Sequence, residues 1–213
     1  MIRSQALAAP LQRGLESLNL RLTQEQQSQL LAFIALLVKW NRVYNLTAVR
    51  DAQQMLTRHI IDSLSILPYL RGARLIDVGA GAGLPGIPLA IARPECQFVL
   101  LDSNRKKTRF LQQAKAELQL GNVDVVCARA EDYHPAESFD SVISRALASL
   151  SQIVSWSSQL CGAQSVILAM KGSYPEAEIS EIPKSFEIKA VHKIDYWGLE
   201  AERYLVEIML AKS

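Results

Sequence analysis

The feature that most constrains the fold is an alternation, from Arg74 onward, of short β-rich runs with stretches of helical character. The runs are almost continuously apolar and rich in branched residues, which is typical of strands buried on both faces. The predicted buried strands are Arg74–Val78, Gln97–Leu101, Val123–Cys127, Phe139–Ser144 and Ser165–Met170. Strands that alternate with helices predict a parallel sheet covered by helices on both faces. We therefore expect a doubly wound α/β core.

Two further strand candidates follow the fifth strand. They span Phe186–Ile194 and Tyr204–Leu210, and the turn-like segment Asp195–Gly198 lies between them. So short a connection predicts that the two strands pair in antiparallel fashion. The sheet is thus expected to end in an antiparallel pair.

The beginning of the chain shows no strand pattern and is predicted to be all-helical. Thr23 and Gln26 form a capping-box pattern ahead of an apolar-rich run. A chain of 213 residues, 49% of them hydrophobic, can bury one substantial core. We expect residues 1–71 to form an N-terminal helical extension and residues 72–213 to form the core domain.

Composition argues against several classes of protein. The longest apolar stretch, Leu30–Val38, is too short to cross a bilayer. Cys96, Cys127 and Cys161 are too scattered for a metal site or a disulfide framework. We therefore expect a cytoplasmic protein with no membrane segment and no metal. A net charge of +2 neither indicates nor excludes a nucleic-acid partner, because a phosphate-binding face can lie within a balanced total.

A glycine-rich segment, Asp77-Val78-Gly79-Ala80-Gly81-Ala82-Gly83, lies where the first predicted strand ends and a helix should begin. Glycines at such a turn let a ligand approach bare backbone and helix-terminal N–H groups. A dinucleotide-binding loop has its third glycine where this chain has Leu84. The Asp77 carboxylate suits a ligand with ammonium and sulfonium groups and would repel a pyrophosphate. The segment therefore favours S-adenosylmethionine over NAD, with a plain strand-to-helix turn as the alternative.

Two later segments are candidates for the rest of the cofactor site. Asp102 ends the second predicted strand, where a carboxylate can accept hydrogen bonds from both hydroxyls of a ribose. Ala130 and Glu131 follow the third strand, where they can present backbone and carboxylate to adenine. Alone, this pair would indicate only an ordinary helix start. Its place in the strand order favours a cofactor role.

Cations lie at several strand ends and at one helix start. Arg145 and Lys171 follow the fourth and fifth strands, at the edge where doubly wound sheets bind ligands, and Arg203 opens the last strand. The run Arg105–Arg109 opens a helix, where cations are unfavourable beside the helix dipole unless a phosphate is bound. A solvated helix face is the alternative for this run. The candidates for contact with a nucleic acid are Lys106, Lys107 and Arg129.

Asn45 and His59 are the catalytic candidates in the helical extension. Both lie in polar interruptions beside apolar helix positions. Each also has a structural interpretation, Asn45 as a turn or cap residue and His59 as a buried, hydrogen-bonded histidine.

Motifs along nearly the whole chain resemble those of the RsmG (GidB) family. They are Trp40-Asn41 with Asn45-Leu46-Thr47, Arg58-His59-Ile60 with Asp62-Ser63-Leu64, Gly79–Leu89, Leu101-Asp102-Ser103 with Lys106-Lys107 and Phe110-Leu111, Arg129-Ala130-Glu131, Ser144-Arg145-Ala146, Met170-Lys171-Gly172 and Glu202-Arg203. Two positions depart from the family pattern: Tyr204 stands where histidine is expected and Met170 where leucine is usual.

The resemblance implies a bacterial cytoplasmic enzyme with a Rossmann-like, class I S-adenosylmethionine-dependent methyltransferase fold. It implies transfer of a methyl group to N7 of one guanine, at position 527 of the 16S rRNA in the small ribosomal subunit. Carried over by motif, the cofactor contacts would be Gly79, Leu84, Ala130, Glu131 and Arg145.

The residues agree with an N7 target by elimination. Methylation of a base carbon needs a cysteine nucleophile, commonly after proline, and methylation of an exocyclic amine usually shows an Asn/Asp-Pro-Pro-aromatic run after the fourth strand. That place holds Ser144-Arg145-Ala146. Guanine N7 already offers a lone pair, so the enzyme needs positioning groups such as Arg145, Arg203 and Lys171 more than a base. A methyltransferase of another specificity and a non-catalytic ribosome-associated module remain alternatives.

Overall fold

In a computed structural model, residues 4–145 and 148–211 are described, and their strands form one seven-stranded sheet. Ala146, the last residue of one family motif, lies outside the described residues. The strand order is β3-β2-β1-β4-β5-β7-β6. The strands are β1 (Arg74–Val78), β2 (Gln97–Leu101), β3 (Val123–Val126), β4 (Phe139–Arg145), β5 (Cys161–Lys171), β6 (Phe186–Lys193) and β7 (Tyr204–Leu210).

The sheet confirms the predicted α/β architecture, and it also shows the order of its last strands. β1 to β5 pair in parallel, and β7 is antiparallel to both of its neighbours. The predicted antiparallel pair is present, and its second strand, β7, lies between β5 and β6. β5 begins at Cys161, earlier than predicted, where a register irregularity lies between Phe139 and Ser141 of β4.

Helices cover the sheet. They are α1 (Ser4–Ser17), α2 (Gln24–Tyr44), α3 (Ala52–Met55), a π-helical turn (Leu56–Ile61), α4 (Asp62–Leu64), a 3-10 turn (Leu67–Tyr69), α5 (Gly86–Ala92), α6 (Arg105–Glu117), α7 (Leu150–Ser157), a 3-10 turn (Ser158–Leu160) and α8 (Glu176–Ser180). None of the helices in the described part of the chain is long and apolar enough to cross a membrane.

The predicted helical extension is helical and shares its core with one face of the sheet. The capping box predicted at Thr23 and Gln26 begins α2, and Gln26 Nε2 also donates to the carbonyl of Ile91 at 2.9 Å. Buried side chains of α1 and α2 belong to the same cluster as those of β1, β2 and α5. The boundary at residue 71 stays a prediction, because the two parts bury one continuous core.

The topology places a ligand edge at the middle of the sheet. β1 lies between β2 and β4, so the chain leaves neighbouring strands in opposite directions at this point. In doubly wound sheets, ligands bind outside the carboxyl ends of the strands at such a switch point. Asp77 pairs with Ile143, which brings Arg145 at the end of β4 beside the glycine-rich loop that follows β1.

Candidate functional site

The glycine-rich loop between β1 and α5 is held against the end of β2. The N–H groups of Gly79 and Ala80 donate to the carbonyl of Leu101 at 2.8 and 3.0 Å. Gly81 has a φ of 56°, in the left-handed region that favours glycine. A side chain at Gly86 would place Cβ 2.2 Å from Leu100 Cδ2, so this glycine lets α5 approach the sheet. The loop thus exposes backbone where a ligand was predicted.

The Asp77 side chain supports this loop from inside the fold. Its side chain is fully buried, and Oδ2 accepts a hydrogen bond from the Gly86 N–H at 2.8 Å. Within the described residues, Oδ1 has no hydrogen-bond partner. Burial raises the pKa of this carboxyl to about 7. Asp77 therefore orders the loop, and its contact with the cofactor stays a prediction.

Asp102 is fixed at the end of β2 by backbone groups on both oxygens. Oδ2 accepts from the Gly81 N–H at 2.9 Å, and Oδ1 accepts from the Asn104 N–H at 2.8 Å. Each oxygen of a carboxylate has a second lone pair. The side chain is thus oriented and can still accept two hydroxyl groups.

The first cleft, with a volume of about 320 Å³, lies above the carboxyl ends of β1, β2 and β3. Its polar and aromatic lining includes Asp102, Lys107, Arg129, Glu131 and Trp156, with backbone of Gly79 and Ala130. Two hydroxyl acceptors, bare backbone and an aromatic wall fit the adenosine part of S-adenosylmethionine. Gly81, Gly83 and Leu84 do not line this cleft within the described residues; Gly83 packs on Ile87, and Leu84 is buried in the core.

One residue that lines the first cleft and one that supports its lining were not found from the sequence. Trp156 of α7 lines its wall, and Gln159 Nε2 donates to the carbonyl of Ala130 at 2.6 Å. Gln159 thereby ties the segment after β3 to the end of α7. An aromatic residue on an apolar helix face looks like a core residue in the sequence, so no signal separates Trp156 from the core.

A second cleft of about 280 Å³ joins the helical extension to the sheet. It brings together four predicted residues that lie far apart in the sequence: His59, Arg145, Lys171 and Arg203. Arg58, Asp62 and Gly172 also line it. The cleft therefore contains several cations beside one buried carboxylate.

Asp62 holds the two arginines of the second cleft in place. Its side chain is almost fully buried; Oδ2 accepts from Arg145 Nη1 at 3.0 Å and Oδ1 accepts from Arg203 Nε at 2.7 Å. The Tyr196 hydroxyl donates to Oδ1 at 3.0 Å. Asp62 belongs to a quoted family motif but was not assigned a role from the sequence. A carboxylate within the apolar run around Ile60 and Leu64 was the signal for it.

His59 is a buried, hydrogen-bonded histidine that also lines the second cleft. Nδ1 lies 2.9 Å from the carbonyl of Arg58, and Nε2 lies 2.7 Å from Thr47 Oγ1. The Thr47 hydroxyl oxygen accepts from the Val49 N–H, so its hydrogen is free to point at Nε2. Burial, together with the charge of Arg145, lowers the pKa of His59 to about 4. The ring is neutral near pH 7 and both its nitrogens are engaged.

Asn45 is a cap residue that lines neither cleft within the described residues, and its catalytic role stays a prediction. It ends α2 in the left-handed conformation, with φ 48°, its N–H donates to the Asn41 carbonyl, and its side chain is exposed. The buried amide is Asn41, whose Nδ2 donates to the Thr47 carbonyl at 2.9 Å and whose Oδ1 accepts from the Thr47 N–H. Asn41 thereby positions Thr47 against His59.

The remaining cations differ in their surroundings. Lys171 Nζ donates to the carbonyl of Ala148 at 3.1 Å and pairs with Glu178 at 2.8 Å. Lys107 Nζ lies 3.8 Å from Asp102 Oδ2, so it faces the first cleft rather than an open RNA surface. Lys106 and Arg129 are exposed, as the prediction of RNA contact requires.

We expect acid to destabilise the protein through His59. The folded pKa is near 4, whereas the unfolded histidine binds a proton near pH 6.5. Its contribution to the free energy of unfolding is complete above pH 6.5 and is lost as the pH falls towards 4. The expected loss is about 3 kcal/mol. Urea unfolding at a series of pH values between 7 and 4 measures it.

The matched variants for this measurement are His59→Gln and His134→Gln. His134 is exposed, so its replacement should keep the wild-type pH dependence. The His59 variant should lose part of the slope below pH 6.5. An unchanged slope in that variant would assign the acid sensitivity to other groups.

Comparisons with known proteins agree with this geometry. The family model described as GidB, rRNA small subunit methyltransferase G, matches residues 26–206. A protein of Nitrosococcus oceani named ribosomal RNA small subunit methyltransferase G is 50% identical over 93% of this chain and 92% of its own length. One of the same name from Pseudomonas aeruginosa is 48% identical over 93% of this chain and 94% of its own length.

Solved structures show the same fold at low sequence identity. The magnesium protoporphyrin IX methyltransferase of Synechocystis PCC 6803, with bound SAM, has a TM-score of 0.58 at 16% identity, over 84% of this chain and 97% of its own. A SAM dependent methyltransferase of Aquifex aeolicus has a TM-score of 0.57 at 15% identity, over 74% of this chain and 93% of its own. The fold is that of the Rossmann-like methyltransferases, and the chain belongs to the rRNA small subunit methyltransferase G (RsmG, GidB) family.

Proposed function

We propose that the protein transfers the methyl group of S-adenosylmethionine to N7 of the guanine at position 527 of 16S rRNA in the small ribosomal subunit. The observation that carries the proposal is the second cleft, where Asp62 orients Arg145 and Arg203, with Arg145 at the end of the strand next to β1 and its loop. Its cations suit a polyanionic substrate better than a neutral small molecule. We place the reaction in the bacterial cytoplasm, where the subunit is found.

The first cleft is the proposed cofactor site. Asp102 is oriented to accept the two ribose hydroxyls, while Trp156 and the Ala130 segment form walls for adenine. Glu131 and Lys107 lie at its polar side. When bound, S-adenosylmethionine would supply an electrophilic methyl group, to which the N7 lone pair forms a bond as the carbon–sulfur bond breaks and S-adenosylhomocysteine leaves.

Methylation at N7 requires that the protein orient the guanine and leave the N7 lone pair free. A donor placed on N7 would occupy the lone pair that reacts, so Arg145 and Arg203 must donate elsewhere, to O6 or to a phosphate. Both are always protonated and neither can act as a base. His59 has both nitrogens engaged and Asp62 is paired. These groups can orient the base, and none is free to remove a proton, which methylation at N7 does not require.

Mass spectrometry tests the proposal. The protein is incubated with S-adenosylmethionine that carries a deuterated methyl group and with small subunits from a strain that lacks this gene. The expected product is one labelled 7-methylguanine in the 16S rRNA fragment that contains position 527. Labelling of a protein or of another nucleotide would favour a different specificity. Cofactor binding without labelling would favour a non-catalytic role.

Binding to the subunit should weaken steeply with salt, because phosphate contacts release counterions. Lys106→Gln should lower the slope of log affinity against log salt by about one, since the exposed side chain lies on the first turn of α6. Lys115→Gln is the matched control, because Lys115 lies at the other end of α6 and pairs with Asp124 at 3.2 Å. Equal slopes of log affinity against log salt for both variants would mean that Lys106 does not contact the RNA.

A further inference from the structure

We propose that Tyr174 is a stacking surface for an unpaired base of the RNA substrate, with Tyr204 packed at its edge. The two tyrosines are called the aromatic pair. This inference deepens the proposed function, because it names a contact for the same substrate outside the second cleft.

The aromatic pair leaves one large ring open to solvent. Tyr174 is 51% exposed, and within the described residues Val43 is the other large hydrophobic side chain so exposed. The ring centroids of Tyr174 and Tyr204 lie 5.5 Å apart with an interplanar angle of 83°. This edge-to-face geometry leaves faces of the Tyr174 ring that Tyr204 does not cover.

The backbone fixes both tyrosines. Tyr174 precedes Pro175, which restricts the backbone of the residue before it, and Pro175 is itself buried at the start of α8. Tyr204 opens β7 and pairs with Lys171 of β5 on one side and with Lys193 of β6 on the other. A ring held in this way loses little conformational freedom when a base stacks on it.

The charges around the aromatic pair suit an RNA strand. Tyr204 directly follows Arg203, and a Cβ at Gly172 would lie 3.5 Å from Arg203 Nη1, so the pair borders the second cleft. Glu202 Oε1 accepts a hydrogen bond from the Tyr204 hydroxyl at 3.4 Å, and a second acid, the exposed Glu176, follows Tyr174 by two residues. Glu202 Oε1 also lies 3.8 Å from Lys193 Nζ, which offsets its charge.

Cations for the phosphates beside an aromatic face for a base are the combination that binds single-stranded nucleic acid. A nucleotide next to the target guanine can therefore place its phosphate near Arg203 and its base on Tyr174. A protein partner would also use exposed aromatic residues, but the neighbouring cations favour RNA.

Kinetics with Tyr174→Leu and Tyr174→Phe test the proposal. Leucine keeps an apolar side chain without a π-face, and phenylalanine keeps the face. With small subunits that lack the methyl group as substrate, leucine should raise KM about tenfold. Phenylalanine should keep the wild-type KM. Both variants should keep the wild-type kcat, melting temperature and Kd for S-adenosylmethionine.

Crosslinking by ultraviolet light gives a second measurement on the wild-type protein. Cleavage after Lys171 and Lys184 releases the peptide 172–184, which contains Tyr174. This peptide should carry a nucleotide after digestion of the complex. An unchanged KM for Tyr174→Leu, or a crosslink of this peptide to a ribosomal protein in place of a nucleotide, would overturn the stacking role. If the wild-type protein transferred no methyl group to guanine, the proposed function would be overturned. The crosslink would still show whether a nucleotide stacks on Tyr174.

Discussion

Alanine at Arg145 or at Arg203 is expected to lower methyl transfer to the 16S rRNA by about 100-fold or more, which is the usual effect of removing one fixed donor from an active site. The two guanidinium groups are held 3.0 and 2.7 Å from Asp62, so each presents its remaining N–H groups in a set direction. Single-turnover rates with saturating cofactor measure the effect. Calorimetry should show a Kd for S-adenosylmethionine close to wild type, because both side chains line the second cleft.

Three controls separate positioning from other roles. Lysine at either arginine should not restore full activity, because an ammonium lacks the planar fork that binds Asp62 and the substrate together. Serine at Cys127 and at Cys161 should leave turnover intact. The pH profile should show no essential base in the second cleft, since the pKa of His59 is lowered to about 4, and a change near pH 7 would be assigned to the buried Asp77, whose pKa is raised to about 7. Full activity of an alanine variant, or inactivity of the serine variants, would favour a nucleophilic mechanism.

The fold could be predicted because its signals are local. Each predicted parallel strand is a short apolar run bounded by turn residues, and the run at Arg74–Val78 coincides with β1. The insertion of β7 between β5 and β6 has no such signal. The neighbour with which a strand pairs depends on packing across the whole sheet. The orders β5-β7-β6 and β5-β6-β7 would keep the same alternation of apolar residues.

The sequence indicates which polar groups lie in the clefts where they follow a strand end, and it gives no signal for contacts between residues that are far apart in the chain. Asp102 and Arg145 follow β2 and β4, and each lies in the cleft where the topology puts strand ends. Asp62 meets Arg145 across 83 residues and Arg203 across 141 residues of sequence, so no spacing rule connects them. For Asn45 the sequence leaves two interpretations open, because a polar residue after a helix can be a cap or a ligand group, and the left-handed backbone of the structure identifies the cap.

Valine at Gly81 is expected to lower the affinity for S-adenosylmethionine about 100-fold while the fold remains cooperative. A Cβ at this position meets nothing closer than 3.7 Å, so the change causes no clash. The φ of 56° is unfavourable for a branched residue and costs about 1–2 kcal/mol. Relief of that strain moves the Gly81 N–H, which donates to Asp102. The valine also places two methyl groups near Lys107 Nζ, which lies 3.9 Å from the new Cβ. Together these effects amount to roughly 3 kcal/mol of binding energy.

Two other glycines make the measurement specific. Gly121→Val introduces the same side chain where nothing lies within 4 Å of the new Cβ, so both the Kd and the melting temperature should stay at wild type. Gly86→Ala should instead lower the stability by about 1–3 kcal/mol, because its Cβ would lie 2.2 Å from Leu100 and 2.8 Å from Asp77. Calorimetric titration with S-adenosylmethionine, run beside thermal unfolding, separates the three variants. A wild-type Kd for Gly81→Val would mean that this part of the loop does not shape the first cleft, and the cofactor would then be held by Asp102 and the segment after β3 alone.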